Sequence, residues 1–278
     1  MIIRCASWGI TSYDLDPTSG RIIFPAGGSL FFCADPATGH TGDLLLSKCH
    51  CVVIMKMIFR KYYLSGPLFP YEIKTKTCGA RLNATMCPHN PDVIAFVNNG
   101  DIWVTHLVSR SEARLTHCHN ASAGGVVEDP LSAGLPCYVM QEEFNRFVGF
   151  WWQPKPVGGP AGNTYCLLYE EVDEGNVEIV RILGFSSTTP DLRPDVEEFR
   201  YPRADTPNAT STLRMLRFTL SSKQEVVDVE SYDLRTSLTT SFPWLEYIVR
   251  VGWTDDGTHV WAQVGQLVVV VGNNHHMF

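Results

Sequence analysis

The sequence has no long hydrophobic run. Its best stretch, Cys51–Phe59, is interrupted by Lys56 and is far shorter than the ~18 apolar residues of a membrane-spanning helix. No membrane association is therefore expected. Basic charge is also scarce: 22 Lys and Arg stand against 29 Asp and Glu, for a net charge of -7. The one basic-looking stretch, Lys56–Tyr63, is mixed with large apolar side chains. A nucleic-acid binder needs a basic face to neutralise phosphates, so no nucleic-acid partner is expected. Cysteine is present but without order. The nine cysteines are odd in number, lie before residue 167 and follow no regular spacing. With no signal-peptide pattern at the start, reduced thiols in a cytoplasmic protein are the simpler expectation. The sequons at Asn83, Asn120 and Asn208 then carry no meaning. Cys49-His50-Cys51, Cys118-His119 and His275-His276 lack the paired spacing of a structural zinc site, and neither a metal nor a cofactor is predicted.

What is there is globular: 45% of residues are apolar and 18% charged. The chain reads as strand–turn–strand units. Arg21–Phe24 and Ser29–Cys33 flank Ala26-Gly-Gly28, and Asp92–Val97 and Asp101–Val104 flank Asn98-Asn-Gly100. Asn-Gly supplies the positive φ that a tight hairpin turn requires. Arg114-Leu-Thr116 is a further strand for the same unit. Tyr165–Tyr169, Val177–Leu183, Arg214–Leu220, Glu225–Val229, Tyr247–Val251 and Val260-Trp261 continue the pattern, rich in β-branched and aromatic residues. The units recur about every 40 to 60 residues, the range of propeller blades. The predicted fold is all-β, a partial β-propeller of about four to five blades. Little reads as helix beyond a single turn at Glu142–Arg146. Leu44–Pro70, with its cysteine-rich apolar patch, reads as an insertion or a gene-model boundary, as does the end after Leu267–Val271.

The segment richest in chemistry is Gln141-Glu-Glu-Phe-Asn-Arg-Phe-Val-Gly-Phe-Trp-Trp152. Two adjacent carboxylates followed by dense aromatics suit a cation site walled by apolar surface. A peptide's α-ammonium offers three donors and one charge, and two carboxylates satisfy it in a desolvated pocket. The same residues also suit a solvated acidic turn beside a tryptophan pair of the core.

This pattern is similar to the glutamate-pair motif of the prolyl-oligopeptidase-like dipeptidyl peptidases, and looks most like their cytosolic 8/9 branch. It departs at Asn145, where an aspartate is usual. Further segments resemble the same family in the same order: Gly9–Asp14, Asn99–Val104, Arg114–Thr116, Glu128–Gly134, Leu168–Glu174, Phe199–Arg203 and Glu246–Thr254. The resemblance implies that residues 1–278 form an incomplete version of the family's eight-bladed N-terminal propeller. It implies that Glu142 and Glu143 bind the free N-terminus of a peptide, which fixes cleavage after the second residue and releases X-Pro or X-Ala dipeptides. Arg4, five residues before Gly9, falls on a family arginine that contacts a substrate carbonyl. Arg146 and Phe147 fall on an adjacent segment and are read as secondary contacts; Phe147 as plain core fits equally. Residues 177–203 match an arm that reaches a second subunit, which implies a homodimer; an ordinary long loop is the alternative. Family members cut with a Ser-Asp-His triad whose serine sits in Gly-x-Ser-x-Gly. That motif is absent here; the nearest string, Gly184-Phe-Ser-Ser-Thr188, lacks the second glycine. This chain alone is therefore expected to be inactive, the hydrolase domain being missing. A non-catalytic propeller that captures peptide N-termini or a protein partner is the other expectation.

Overall fold

A computed structural model describes residues 12–26, 28–34, 70–74, 76–77, 79–120, 129–157, 163–183 and 196–266. Arg4, most of the Leu44–Pro70 patch, Gly184–Thr188 and the segment after Gln266 lie outside the described residues. The rest is a row of antiparallel sheets. The first sheet runs β1 (Asp14–Asp16), β2 (Arg21–Ala26), β3 (Ser29–Ala34) and β4 (Tyr71–Ile73). The second runs β5 (Leu82–Cys87), β6 (Asn90–Asn98), β7 (Asp101–His106) and β8 (Glu112–Arg114). In the third, β9 (Leu131–Ala133) and β10 (Phe150–Trp152) lie along one edge of β11 (Thr164–Asp173), and β14 (Thr210–Leu220) and β15 (Val226–Asp233) complete it. The fourth is represented by β16 (Tyr247–Trp253) and β17 (Val260–Gly265). Two four-stranded sheets, one five-stranded sheet whose β9 and β10 share an edge, and the β16–β17 hairpin are the partial β-propeller that the pattern predicts.

Strand periodicity explains how the sheets stack. Successive side chains of a strand point to opposite faces. On β6, Ile94 packs with Ile23, Leu30, Ile73 and Met86 of the first two sheets. Its neighbours Val93, Ala95 and Val97 pack with Leu167, Tyr169, Leu216 and Phe218 of the third. On β11 the alternation repeats: Leu167 and Tyr169 face the second sheet, whereas Leu168 joins Leu213, Ile248 and Val251 toward the fourth. Every inner sheet is thus apolar on both faces.

The turns follow local chemistry. Asn99 and Gly100 carry φ of 48° and 73° between the paired Asn98 and Asp101, so Asn98 belongs to the strand rather than the turn. The first hairpin likewise keeps Ala26 in β2, paired with Ser29. The strand expected at Arg114–Thr116 lies at Glu112–Arg114 instead. Leu115 turns into the core, and the Thr116 hydroxyl is taken by the buried Asp101.

Candidate functional site

Gly134 and Gly149 form the neck of an excursion between the two halves of the third sheet's edge. Ala133 pairs with Glu171, and Phe150 pairs with Tyr169. Between those positions the chain leaves the sheet and returns. The Gly134 N–H donates to the Glu170 carbonyl (2.9 Å), and the Glu170 N–H donates to the Gly149 carbonyl (2.8 Å). The two glycine backbones pass so closely that a Cβ on Gly149 would lie 2.6 Å from the Gly134 carbonyl carbon. No other residue fits that crossing.

The excursion carries a short helix, α1 (Tyr138–Glu142), with Met140 buried beneath it. The turn expected at Glu142–Arg146 therefore lies earlier in the chain, ending where it was predicted to begin. Asn145 is the reason. Its φ of 50° is left-handed, a conformation that ends a helix and that asparagine tolerates better than most residues. The Arg146 N–H then donates to the Met140 carbonyl (3.0 Å) and closes the loop. Glu142, the last helical residue, and Glu143, its C-cap, both stand exposed on the rim. Among the described residues neither carboxylate has a hydrogen bond or an ion pair. Tyr138, one turn before Glu142, stacks edge-on with Tyr201 at 5.0 Å. Burial, followed by the nearby Glu142 carboxylate, raises the Tyr138 phenol above its ordinary pKa. Helical spacing puts Tyr138 and Glu142 on one face.

Arg146 points the other way. Its side chain is 6% exposed and grips the fully buried Glu170 through two parallel bonds, Nη1 to Oε2 at 2.6 Å and Nη2 to Oε1 at 3.0 Å. The same two terminal nitrogens also donate to the carbonyls of Val148 (Nη1, 3.0 Å) and Ile248 (Nη2, 2.9 Å), with the Trp151 ring 5.9 Å away, while the buried Nε–H has no partner among the described residues. In this structure Arg146 faces the interior of the loop. Phe147 is 48% exposed, which sets it apart from core.

Other parts of the loop are braced by neighbouring sheets, through residues that the sequence did not single out. Asn83 of β5 donates to the Phe147 carbonyl (2.6 Å), and Arg250 of β16 donates to the Phe144 carbonyl (2.7 Å). The Phe144 ring packs on Tyr247 at 5.5 Å. Asn208 donates to the Tyr247 hydroxyl (2.8 Å), and burial with the adjacent Glu246 pushes that phenol up to about 12. Thus the second, third and fourth sheets all hold one short loop. Asn83 and Asn208, noticed in the sequence only as sequons, act here through side-chain amide hydrogen bonds.

A second excursion leaves β11 at its far end. β12 (Ile179–Leu183) and β13 (Val196–Arg200) form a separate two-stranded hairpin. It coincides with the arm expected over residues 177–203. Ile182 and Val196 are exposed on it, at 55% and 48%. Arg200 donates to the Glu174 and Val177 carbonyls and pins the hairpin's base. Tyr201, just beyond, is the residue that meets Tyr138.

Among the described residues, no cluster of three or more His, Cys, Asp or Glu is placed to hold a metal, and no helix is long and apolar enough to cross a membrane. Cys87, Cys118, Cys137 and Cys166 are free thiols.

Comparison with known proteins decides the family. The description of the dipeptidyl peptidase IV N-terminal region matches residues 59–266, most of the chain. The chain belongs to that family. Its curated relatives include dipeptidyl peptidase 8 of mouse and of human, each 34% identical over 261 residues. That alignment takes in 93% of this chain and 26% of the relative, so the chain spans about a quarter of the length of the curated proteins it matches. A crystal structure of Porphyromonas gingivalis dipeptidyl peptidase 4 matches 94% of this chain and 30% of its own, with a TM-score of 0.54 at 15% identity. At that identity the likeness speaks for the fold, and it agrees with a partial propeller from the family's N-terminal region.

Proposed function

We propose that this dipeptidyl peptidase N-terminal region is the substrate-gating part of a serine dipeptidyl peptidase, in which Glu142 and Glu143 clamp the α-ammonium of a peptide. One observation carries the reading. Two adjacent carboxylates stand exposed and unpaired at the tip of a loop that three sheets hold in place. Exposed acidic turns are common, but most are not braced from behind by a buried ion pair. A fixed pair of carboxylates can accept all the ammonium's donors without first being ordered, which is the basis of preorganised binding. Clamping the amine at a set distance from the nucleophile of a following hydrolase domain would restrict cleavage to the bond after the second residue, releasing X-Pro or X-Ala dipeptides. Direct contact is assigned to Glu142 and Glu143, with the exposed Phe147 beside them and Arg4 as a further contact. The β12–β13 hairpin is proposed to reach a second copy of the protein, supported by the exposed Ile182 and Val196 at its surface. A cytoplasmic location is proposed with it.

The clamp is tested with a fluorescein-labelled peptide that begins Gly-Pro, compared with its N-acetylated form. The free peptide is expected to bind, and the acetylated form to bind roughly ten-fold or more weakly, since charge-assisted hydrogen bonds contribute about 1.5–3 kcal/mol each. Glu142→Ala with Glu143→Ala should erase the difference. Equal binding of both peptides by the unaltered chain would refute the clamp. For the arm, Ile182→Asp should lower the sedimentation coefficient of a dimer, and an unchanged dimer would count against that contact.

A further inference from the structure

The glutamate loop cannot set its own position. Its helix is a single short turn, well below the length at which a helix is stable by itself. Where Glu142 and Glu143 stand is therefore imposed from outside the loop. Among the described residues, three side chains on other strands hydrogen-bond to the loop. Asn83 and Arg250 each make one bond, at exposed positions. Glu170 makes two, inside the protein, to an arginine only three residues beyond Glu143. Through the same guanidinium the loop also reaches the Ile248 carbonyl of β16.

We propose that the Arg146–Glu170 fork is the positioning element of the clamp, fixing the glutamate pair by tying its loop at once to β11 of the third sheet and to β16 of the fourth. The inference rests on the clamp reading above and names residues that act through Glu142 and Glu143 rather than touching the peptide. Its physical basis is that a buried ion pair is a poor source of stability, since well-packed apolar residues of similar volume commonly do as well. What such residues lack is direction. The planar guanidinium meets the carboxylate in one geometry and, through the same two terminal nitrogens, also donates to two carbonyls, so both the orientation and the depth of the loop are specified. The clamp then takes its working shape only when the third and fourth sheets are seated against each other, because one cation spans both.

The decisive variant replaces both partners, Arg146→Met with Glu170→Leu, in the full chain. Three quantities are measured: the thermal midpoint, affinity for the Gly-Pro peptide and its acetylated form, and the titration of the Tyr138 ring by NMR in tyrosine-labelled protein, assigned with Tyr138→Phe. Tyr138 reports position because it lies one helical turn before Glu142 and packs on Tyr201, so its phenol, raised first by burial and then by the Glu142 carboxylate, changes its surroundings when the loop moves. The double variant should unfold near the wild-type midpoint. Its affinity for the free N-terminus should fall roughly ten- to hundred-fold, the scale of a misplacement of about an ångström. Its Tyr138 titration should move back toward the ordinary value. Arg146→Lys keeps the charge without the fork and should fall between. Wild-type peptide affinity and an unmoved Tyr138 titration in a folded double variant would overturn the proposal. If the double variant does not fold, Glu170→Gln and Arg146→Lys carry the same two readouts, and the same result overturns it. Should Glu142→Ala with Glu143→Ala leave peptide binding intact, the clamp reading fails, and the Tyr138 titration still decides the positioning role.

Discussion

Glu170 and Glu174 lie four residues apart at the roots of the two excursions from the third sheet, and their surroundings differ. Glu170 is fully buried and held by both arms of Arg146. Glu174 is half-buried at the base of the β12–β13 hairpin, and the arginine nearest to it, Arg200, donates to its backbone carbonyl. Burial raises the Glu174 carboxyl above the ordinary carboxylate range, with Arg200 offsetting part of that rise. One root is thus locked by a buried directional charge pair; at the other, Arg200 grips backbone carbonyls and the nearby Arg203–Glu178 ion pair is long (3.6 Å) and exposed. The contrast suits their proposed tasks: a clamp must hold ångström-scale geometry, whereas an arm that meets another subunit can adjust on docking.

The largest test of this contrast removes one carboxylate at the root of the glutamate loop and one on the hairpin. Glu170→Leu leaves the Arg146 guanidinium buried without its counter-charge, and should cost about 3–5 kcal/mol in urea unfolding. Glu198→Leu on the hairpin removes an ion pair whose arginine, Arg181, is 62% exposed, and should cost no more than about 1 kcal/mol. Similar losses at the two sites would mean that Arg146 is not committed to Glu170.

The necks differ in the same direction. A Cβ on Gly149 meets the Gly134 backbone at 2.6 Å, which cannot yield without parting β9 from β10. At Gly175, beside the hairpin's root, the nearest atom is the Asp173 carboxylate oxygen at 2.9 Å, the end of a side chain that can rotate away. Gly149→Ala should destabilise by about 1–3 kcal/mol, as overpacking does, and Gly175→Ala by well under that. Denaturation midpoints of the two variants measure the difference; equal midpoints would show that the glutamate loop's neck is as pliable as the arm's.

Much of this arrangement was legible in the sequence because it rests on local chemistry. Asn99-Gly100 announced its turn through the positive φ those residues accept, and the strand runs declared themselves by β-branched and aromatic content. The Glu142-Glu143 pair was conspicuous because adjacent carboxylates before a run of aromatics are chemically pointed. The brace behind them was not. Glu170 shares a face of β11 with the buried Leu168 and Val172, and a carboxylate in that register demands a partner. Nothing local says that the partner is Arg146, which only the return of the chain through Gly149 brings alongside. Asn145 was the missed local signal. The sequence marked it only as a departure from aspartate, yet the position holds a left-handed residue, and that conformation puts the helix nearer Tyr138.

The smallest expected effect concerns acid, and it sharpens the comparison at Glu174. Its folded-state pKa is raised above the ordinary 4.5, chiefly by burial. The folded protein therefore favours the protonated form. This site's contribution to stability is complete below the unfolded value of 4.5 and is lost as pH rises through the folded value. Glu174→Gln mimics the protonated group at every pH. The variant should match the wild type in acid near the unfolded value and become the more stable of the two as pH climbs toward neutrality. Urea unfolding at a series of pH values from about 4 to 7 measures this as a gap that opens with pH. A gap that is constant, or that closes toward neutrality, would mean that Arg200 compensates the Glu174 charge fully. The arm's root would then be locked electrostatically, as the clamp's root is.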